Sequence, residues 1–393
     1  MTEQMTSSTT CSKRASESIV MKLAVLSISL ILTSGQAING ALPQIRAALG
    51  LSQTTVELLS TLPSITVILF ILLSSYVARK IGLKRTITLG ILLAGIGGSI
   101  PVVLNSVIAL FVGRIILGAG LGLFNSLAVT IINRLYHGSD AEATLLGIRN
   151  SMEGIGQSLL TVIAGLLLNV SWNFSFAIYF LAFPIALFFY WVVPNIEDEA
   201  EEGHAQTSMP IMVYVLTAFA ILLVCNGISV GVRFPSLAAE IYGDQFNASN
   251  YLAMMPIIGI IAGFLFGKIY RRLGIATLYV GLIIFAISNF LIGFASGNFY
   301  VLLSGVLLSS IPGTWCFPFI FMTLGQITTK NNLAMANSLI FIGCNIGGFI
   351  VPFVMNGLQF LSPSSQLSAP FPMYGALLLL IAIGLVIARK RIK

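Results

Sequence analysis

Apolar residues in this chain run in long unbroken blocks and do not alternate with polar ones. Twelve blocks can be traced, at about residues 21–45, 53–78, 86–104, 107–135, 143–170, 174–194, 210–238, 250–270, 275–296, 299–328, 333–360 and 370–388. A helix needs about 20 apolar residues to cross the hydrocarbon core of a bilayer, whereas a barrel strand needs only about ten and alternates. The pattern therefore predicts twelve transmembrane helices and no barrel. Several blocks are longer than one crossing, which predicts tilt or extension into water.

Polar landmarks recur along this pattern. A basic turn, Ser75-Tyr-Val-Ala-Arg79-Lys80-Ile-Gly82-Leu-Lys84-Arg85, separates the second and third blocks. A second copy, Gly267-Lys-Ile-Tyr-Arg271-Arg272-Leu-Gly274, follows the eighth, so that Arg79 falls on Arg271, Lys80 on Arg272 and Gly82 on Gly274. Pro43 and Pro235, and Gly35 and Gly227, share the same offset, and Asn150-Ser151 falls near Asn337-Ser338. Landmarks repeating at nearly one offset predict two related halves, and two halves in a membrane predict a site between them.

Composition supports the membrane reading. The chain is 57% hydrophobic and 8% charged, against about 25% charged in soluble domains. With both termini placed in the cytoplasm, most lysines and arginines fall on that side, as the positive-inside rule asks. Only Arg46, Arg114, Arg149 and Arg233 lie elsewhere, each within or beside an apolar block. The net charge of +7 is thereby explained without a nucleic-acid partner.

The expected architecture is an all-α membrane protein of twelve transmembrane helices in two related six-helix bundles, both termini cytoplasmic. Residues 1–20 form a cytoplasmic tail, 21–194 the first bundle, 195–209 an acidic cytoplasmic linker, 210–388 the second bundle and 389–393 a basic tail. The linker, Glu197-Asp-Glu-Ala-Glu-Glu-Gly-His204, reads as a solvated connector, with docking on the basic turns as the alternative. Cys11, Cys225, Cys316 and Cys344 have no metal-like spacing. His137 and His204 fall in loops, and no phosphate loop or catalytic triad is present, so neither an enzyme nor a cofactor or metal site is expected. Glycines such as Gly113, Gly118, Gly120 and Gly122 suit close helix packing in lipid.

Twelve helices in two halves, with a basic turn after the second and eighth, resemble the major facilitator superfamily over about residues 20–390. The family's turn reads Gly-x-x-x-Asp-Arg/Lys-x-Gly-x-Arg/Lys. The first copy here keeps Lys80, Gly82 and Lys84, with Ser75 and Arg79 in place of the glycine and the acid; the second keeps Gly267, Arg272 and Gly274, with Arg271 in place of the acid. The resemblance implies that both turns are conformational gates. Arg114-Ile-Ile-Leu-Gly118-Ala-Gly120 is similar to the family's Arg-x-x-x-Gly-x-Gly run on helix four. Gly156-Gln-Ser-Leu-Leu-Thr-Val-Ile-Ala-Gly165 keeps the spacing of the helix-five motif of proton-coupled exporters, with Leu160-Thr161 for its Gly-Pro. Leu42-Pro43-Gln44-Ile45-Arg46, followed by Ser60-Thr61-Leu62-Pro63, is similar to the cyanate-permease branch, without that branch's arginine earlier in helix one.

Polar side chains inside apolar blocks are costly and mark candidate sites. Arg149, Glu153 and Gln157 lie at i, i+4 and i+8 on the fifth helix, with Asn150 beside them. Glu153 is the one acid in the middle of a predicted span. It reads as a proton carrier, as half of a static ion pair with Arg149, or as a contact for a cationic substrate. Arg114 pairs with Glu57 in one reading and steers an anion or exchanges protons in another. Asn39, Asn125, Asn226, Asn337 and Asn345 bridge helices or contact substrate. In the resembling family helices one, four, seven and ten line the path, which favours Asn39, Asn125 and Asn226, and Gln36, Asn150 and Gln157 join them as candidates. Trp315 and Phe319, with Phe317 beside them, form core or an aromatic wall for a lipophilic cation. These features give a secondary transporter working by alternating access, with a lipid bilayer, a small-molecule substrate and protons as its partners and a monomer as its state. A proton-coupled exporter of small amphiphilic compounds is the first reading, a permease for small anions the second, and a non-transporting membrane sensor a third of another class.

Overall fold

Lipid offers no partner for a backbone N–H or C=O, so chains of this composition satisfy those groups within helices. The computed structural model describes residues 18–136, 140–195, 209–328 and 330–392. The N-terminal tail through residue 17 with Cys11, the acidic linker's charged run with His204, and His137 lie outside the described residues.

Among the described residues, eleven helices are long and apolar enough to cross a membrane, and a bent pair supplies a twelfth. In chain order they are α1 (Ile19–Leu49), α2 (Gln53–Ile81), α3 (Leu83–Val103), α4 (Val107–Tyr136), α5 (Asp140–Leu168), α6 (Trp172–Val192), α7 (Ile211–Tyr242), α8 (Ser249–Leu273), α9 (Ala276–Gly293), α10 (Phe299–Ile327), α11 (Met335–Phe349 with Val351–Leu361, bent by 53°) and α12 (Pro370–Ile392). The α11 bend lies just before Pro352, whose ring cannot follow a straight helix. Strands are absent among the described residues.

Apolar residues on the outside of these helices stay exposed: Ile108, Trp191, Phe264 and Phe360 are each more than 70% accessible. In water such a surface would drive aggregation, and in a bilayer it faces acyl chains. Inside, one core joins residues of α1 to α6 with Val232, while two others are built only from α7 to α12. Small residues set the closest approaches. A Cβ on Gly118 would strike Thr66 and Pro63 of α2, and one on Gly97 would lie 2.5 Å from the Leu117 nitrogen of α4. With little hydrophobic drive between helices in lipid, such contact is what holds them together.

Both basic turns close on a glycine. Gly82 has φ +89° and Gly274 φ +55°, with ψ of 151° and −132°, a region that costs other residues about 1–3 kcal/mol. Arg79 and Lys80 end α2, and Arg271 and Arg272 end α8, where the helix dipole favours cations. All four are exposed.

The end of the bundle remote from these turns is tied across the two sets of six helices. Arg46 meets Asp244 at 3.3 Å, Gln44 donates to the Phe246 carbonyl at 3.0 Å, and Asn247 donates to the Gly165 carbonyl at 2.6 Å. Beneath them Arg233 Nε donates to Glu57 Oε1 at 2.9 Å, with both side chains fully buried.

Candidate functional site

α1 is interrupted in its middle. Two short 3-10 turns, Ser34–Gln36 and Asn39–Ala41, replace regular helix. Irregular backbone at membrane depth survives only where protein satisfies it or where it lines a cavity, and here both hold. Tyr179 Oη donates to the Ser34 carbonyl at 2.8 Å, and Arg114 Nη1 donates to Tyr179 Oη at 3.0 Å and to the Gly35 carbonyl at 3.3 Å.

The interrupted stretch opens onto two adjoining cavities of about 220 and 170 Å3. Gln36 of α1 and Gln157 of α5 line both. Asn39, Thr161 and Ser310 complete the polar side of the first, and Thr33, Ser60, Thr61, Ser64, Asn125 and Asn345 that of the second. Gly35 and Gly227, related by the repeat in the sequence, each face one cavity. Ser60 Oγ donates to Asn39 Oδ1 at 2.5 Å. A third cavity, of about 450 Å3, lies toward the basic turns between α5, α8 and α10, where Asn150, Gly154, Pro256 and Phe264 line it.

The polar stripe of α5 divides. Gln157 reaches the central cavities and Asn150 the third one. Arg149 and Glu153 form an ion pair, Arg149 Nη1 to Glu153 Oε1 at 2.8 Å. The approach is poorly directed: Glu153 Oε1 takes no hydrogen bond, and Nη1 donates to Asn150 Oδ1 at 3.2 Å. The Glu153 carbonyl accepts from Thr33 at 3.1 Å, which fixes α5 against the interrupted part of α1.

One expectation needs correction. Glu57 does not pair with Arg114; its partner is Arg233. Glu57, one turn into α2, is wholly enclosed and also accepts from Gln53 at 2.9 Å. Arg114 instead has no carboxylate among its contacts with the described residues. Its guanidinium lies 5.1 Å from the Phe176 ring centre and 5.8 Å from that of Tyr179, so aromatic faces, the Tyr179 hydroxyl and the Gly35 carbonyl offset part of the buried charge, while Nε and Nη2 have no hydrogen-bond partner among the described residues. Among the second-bundle candidates, Asn226 and Asn289 exchange amide hydrogen bonds at 2.9 Å and join α7 to α9, and neither lines the central cavities. Trp315 donates to the Ala262 carbonyl of α8 at 3.1 Å, and Phe319 packs edge-on against Tyr270. These two aromatic side chains also lie away from the central cavities.

Sequence reasoning overlooked Tyr179 and left Arg233 and Ser60 without a role. Tyr179 sits in an aromatic run and carries no local signal. Arg233 had one: it is a lone charge in an apolar block, two residues before the repeated Pro235.

The model of the major facilitator superfamily matches residues 24–352. No curated protein matches the chain. Among solved structures, a point mutant of the nucleoside transporter NupG superposes with a TM-score of 0.76 at 14% identity, covering 93% of this chain and 99% of that one. The POT family transporter PepTSo gives 0.77 at 13% identity, with 94% and 98% covered. The inward-open xylose transporter XylE from E. coli gives 0.72 at 15% identity, with 92% and 94% covered. At such identities the structures speak for the fold alone. The family match spans most of the chain, and the chain belongs to the major facilitator superfamily of membrane transporters.

Proposed function

We propose that this transporter moves a small solute by alternating access through the cavities beside Gln36 and Gln157, with proton movement linked through Glu153. The observation that carries the reading is a polar chamber between two sets of six helices, beneath an end closed by the Glu57–Arg233, Arg46–Asp244 and Asn247–Gly165 contacts. With the basic turns in the cytoplasm, the closed end is the outer one. The membrane is then the cell membrane, that of a bacterium in our reading.

Proton linkage rests on a carboxylate that meets one guanidinium without a directed hydrogen bond. That arrangement leaves room for the proton to replace the arginine as the conformation changes. Export is the direction favoured by the spacing of Gly156 and Gly165, where Leu30 and Ser249 pack directly on the α5 backbone. An amphiphilic cargo has less support, because Trp315 and Phe319 face α8. An anion has less as well, because neither Arg114 nor Arg149 lines the central cavities.

The test needs no substrate. Spin labels go on Ala48 and Gln245 at the closed end, and on Ile81 and Leu273 at the basic end, in a background with the four cysteines replaced. The expected result is a reciprocal pair of distance distributions: one end widens as the other narrows when pH is changed. A single fixed distance at both ends under all conditions would refute alternating access. Loss of the pH response in Glu153→Gln, with both conformations still populated, is the result expected for a proton link through Glu153.

A further inference from the structure

The chamber has an unusual balance of groups. Among the described residues, none of those lining the two central cavities is Lys, Arg, Asp, Glu or His, and none is aromatic. The side-chain amides of Gln36, Gln157 and Asn125 face this space without a protein hydrogen-bond partner among the described residues. An amide both donates and accepts. Amides converging from α1, α4 and α5 therefore suit a solute whose groups also do both. The remaining walls, at Val67, Leu121 and Met255, are aliphatic and suit the carbon face of a small ring.

Charge is excluded by the same inventory. An ion entering this space would shed water and meet no counter-charge, which is heavily disfavoured. Arg114, Arg149 and Glu153 do not line this space. Arg149 and Glu153 hold each other at 2.8 Å, and Arg114 is bonded to Tyr179 and the Gly35 carbonyl.

We propose that the cargo is a small uncharged solute bearing several hydroxyl groups, recognised by the amides of Gln36 and Gln157 with Asn125 behind them. This rests on the transport reading above and names the chemical class of its cargo. Gln36 is the selective element, because the interruption of α1 presents it and the Arg114–Tyr179 clamp fixes that interruption.

The experiment measures thermal unfolding of the full chain in nanodiscs against three sets of probes. The first holds aldoses, polyols and nucleosides; the second is tetraphenylphosphonium; the third holds acetate and cyanate. The expected result is saturable stabilisation by at least one member of the first set. It weakens about tenfold in Gln36→Leu and in Gln157→Leu, the loss expected for one directed hydrogen bond, while each unliganded variant unfolds at the parent temperature. Stabilisation by the charged probes alone overturns the proposal, as does silence from the whole neutral set. If either variant unfolds early without ligand, Gln36→Asn and Gln157→Asn replace it, and unchanged binding in both overturns the assignment of the amides. The spin-label distances keep the two readings apart. Reciprocal motion with no neutral binder rejects the cargo class and spares the transporter; neutral binding with one fixed conformation does the reverse.

Discussion

Replacing Glu57 with glutamine should unlock the closed end. Glu57 and Arg233 are fully buried and bridge α2 and α7 at 2.9 Å, and Arg233 also donates to the Leu367 carbonyl at 2.8 Å. Removing one charge of a buried pair costs about 3–5 kcal/mol, because the other charge stays desolvated without compensation. A glutamine carbonyl can still accept from Arg233, so the lower figure is appropriate. Opening this end would let water reach Arg233, so nearly all of that cost falls on the closed form. At 1.4 kcal/mol per tenfold change, about 3 kcal/mol shifts the balance between closed and open by about a hundredfold. The assay is the Ala48–Gln245 spin-label distance, read beside maleimide labelling from the outer side of a variant whose single cysteine replaces Ser64 on the chamber wall. Glu57→Gln should lengthen the distance and expose the chamber. Glu57→Gln with Arg233→Met should close it again, since an apolar replacement of a buried ion pair is often neutral or stabilising. An unchanged distance in the single variant would refute the claim that this pair holds the outer end, as would failure of the double variant to recover.

Other substitutions probe separate parts of the structure. Arg149→Gln with Glu153→Gln should fold as well as the parent but lose pH-dependent distance changes, whereas Glu153→Gln alone should also unfold at lower temperature because Arg149 is left unpaired; equal melting of the two would contradict this. Tyr179→Phe removes the donor to the Ser34 carbonyl and should cost about 1–3 kcal/mol, seen as a lower unfolding temperature. Gly118→Leu should prevent accumulation of folded protein, since α2 leaves no space there. Gly147→Ala meets nothing within 4 Å and should be neutral or stabilising by about 0.5–1 kcal/mol; comparison of their yields by size exclusion checks both.

The number and order of the helices were readable because a bilayer forces long apolar runs to be helical. The observed ends fall close to those expected from the apolar blocks. The turn glycines were readable too: Gly82 and Gly274 recur with their basic neighbours, and both adopt positive φ. Pairings between distant charges were not readable. Glu57 had several arginines within plausible depth, and depth along a helix does not say which neighbour it faces. Arg114 matched it in depth, yet Tyr179 and the α1 carbonyls fill its surroundings. The interruption of α1 was hidden for a similar reason: Ser34-Gly-Gln-Ala-Ile-Asn-Gly40 contains no proline, and its break is upheld by side chains more than seventy residues away.

The closed end and the chamber are joined by a short stretch of α2. Glu57 belongs to the lock with Arg233. Ser60, one turn further along the helix, donates to Asn39 at the wall of the chamber. Thr61 accompanies it and donates back to the Glu57 carbonyl at 3.3 Å. A solute competing for Asn39 therefore acts on the helix that carries half of the lock, without any longer chain of contacts. Communication between sites requires an element with two arrangements that both sites bias; α2 meets the spatial half of that condition, and Ser60→Ala tests the other half. With Ser60 replaced, a neutral solute that binds should leave the Ala48–Gln245 distance unchanged. If that distance still responds as in the parent, the signal travels by another route and α2 is only the carrier of the lock.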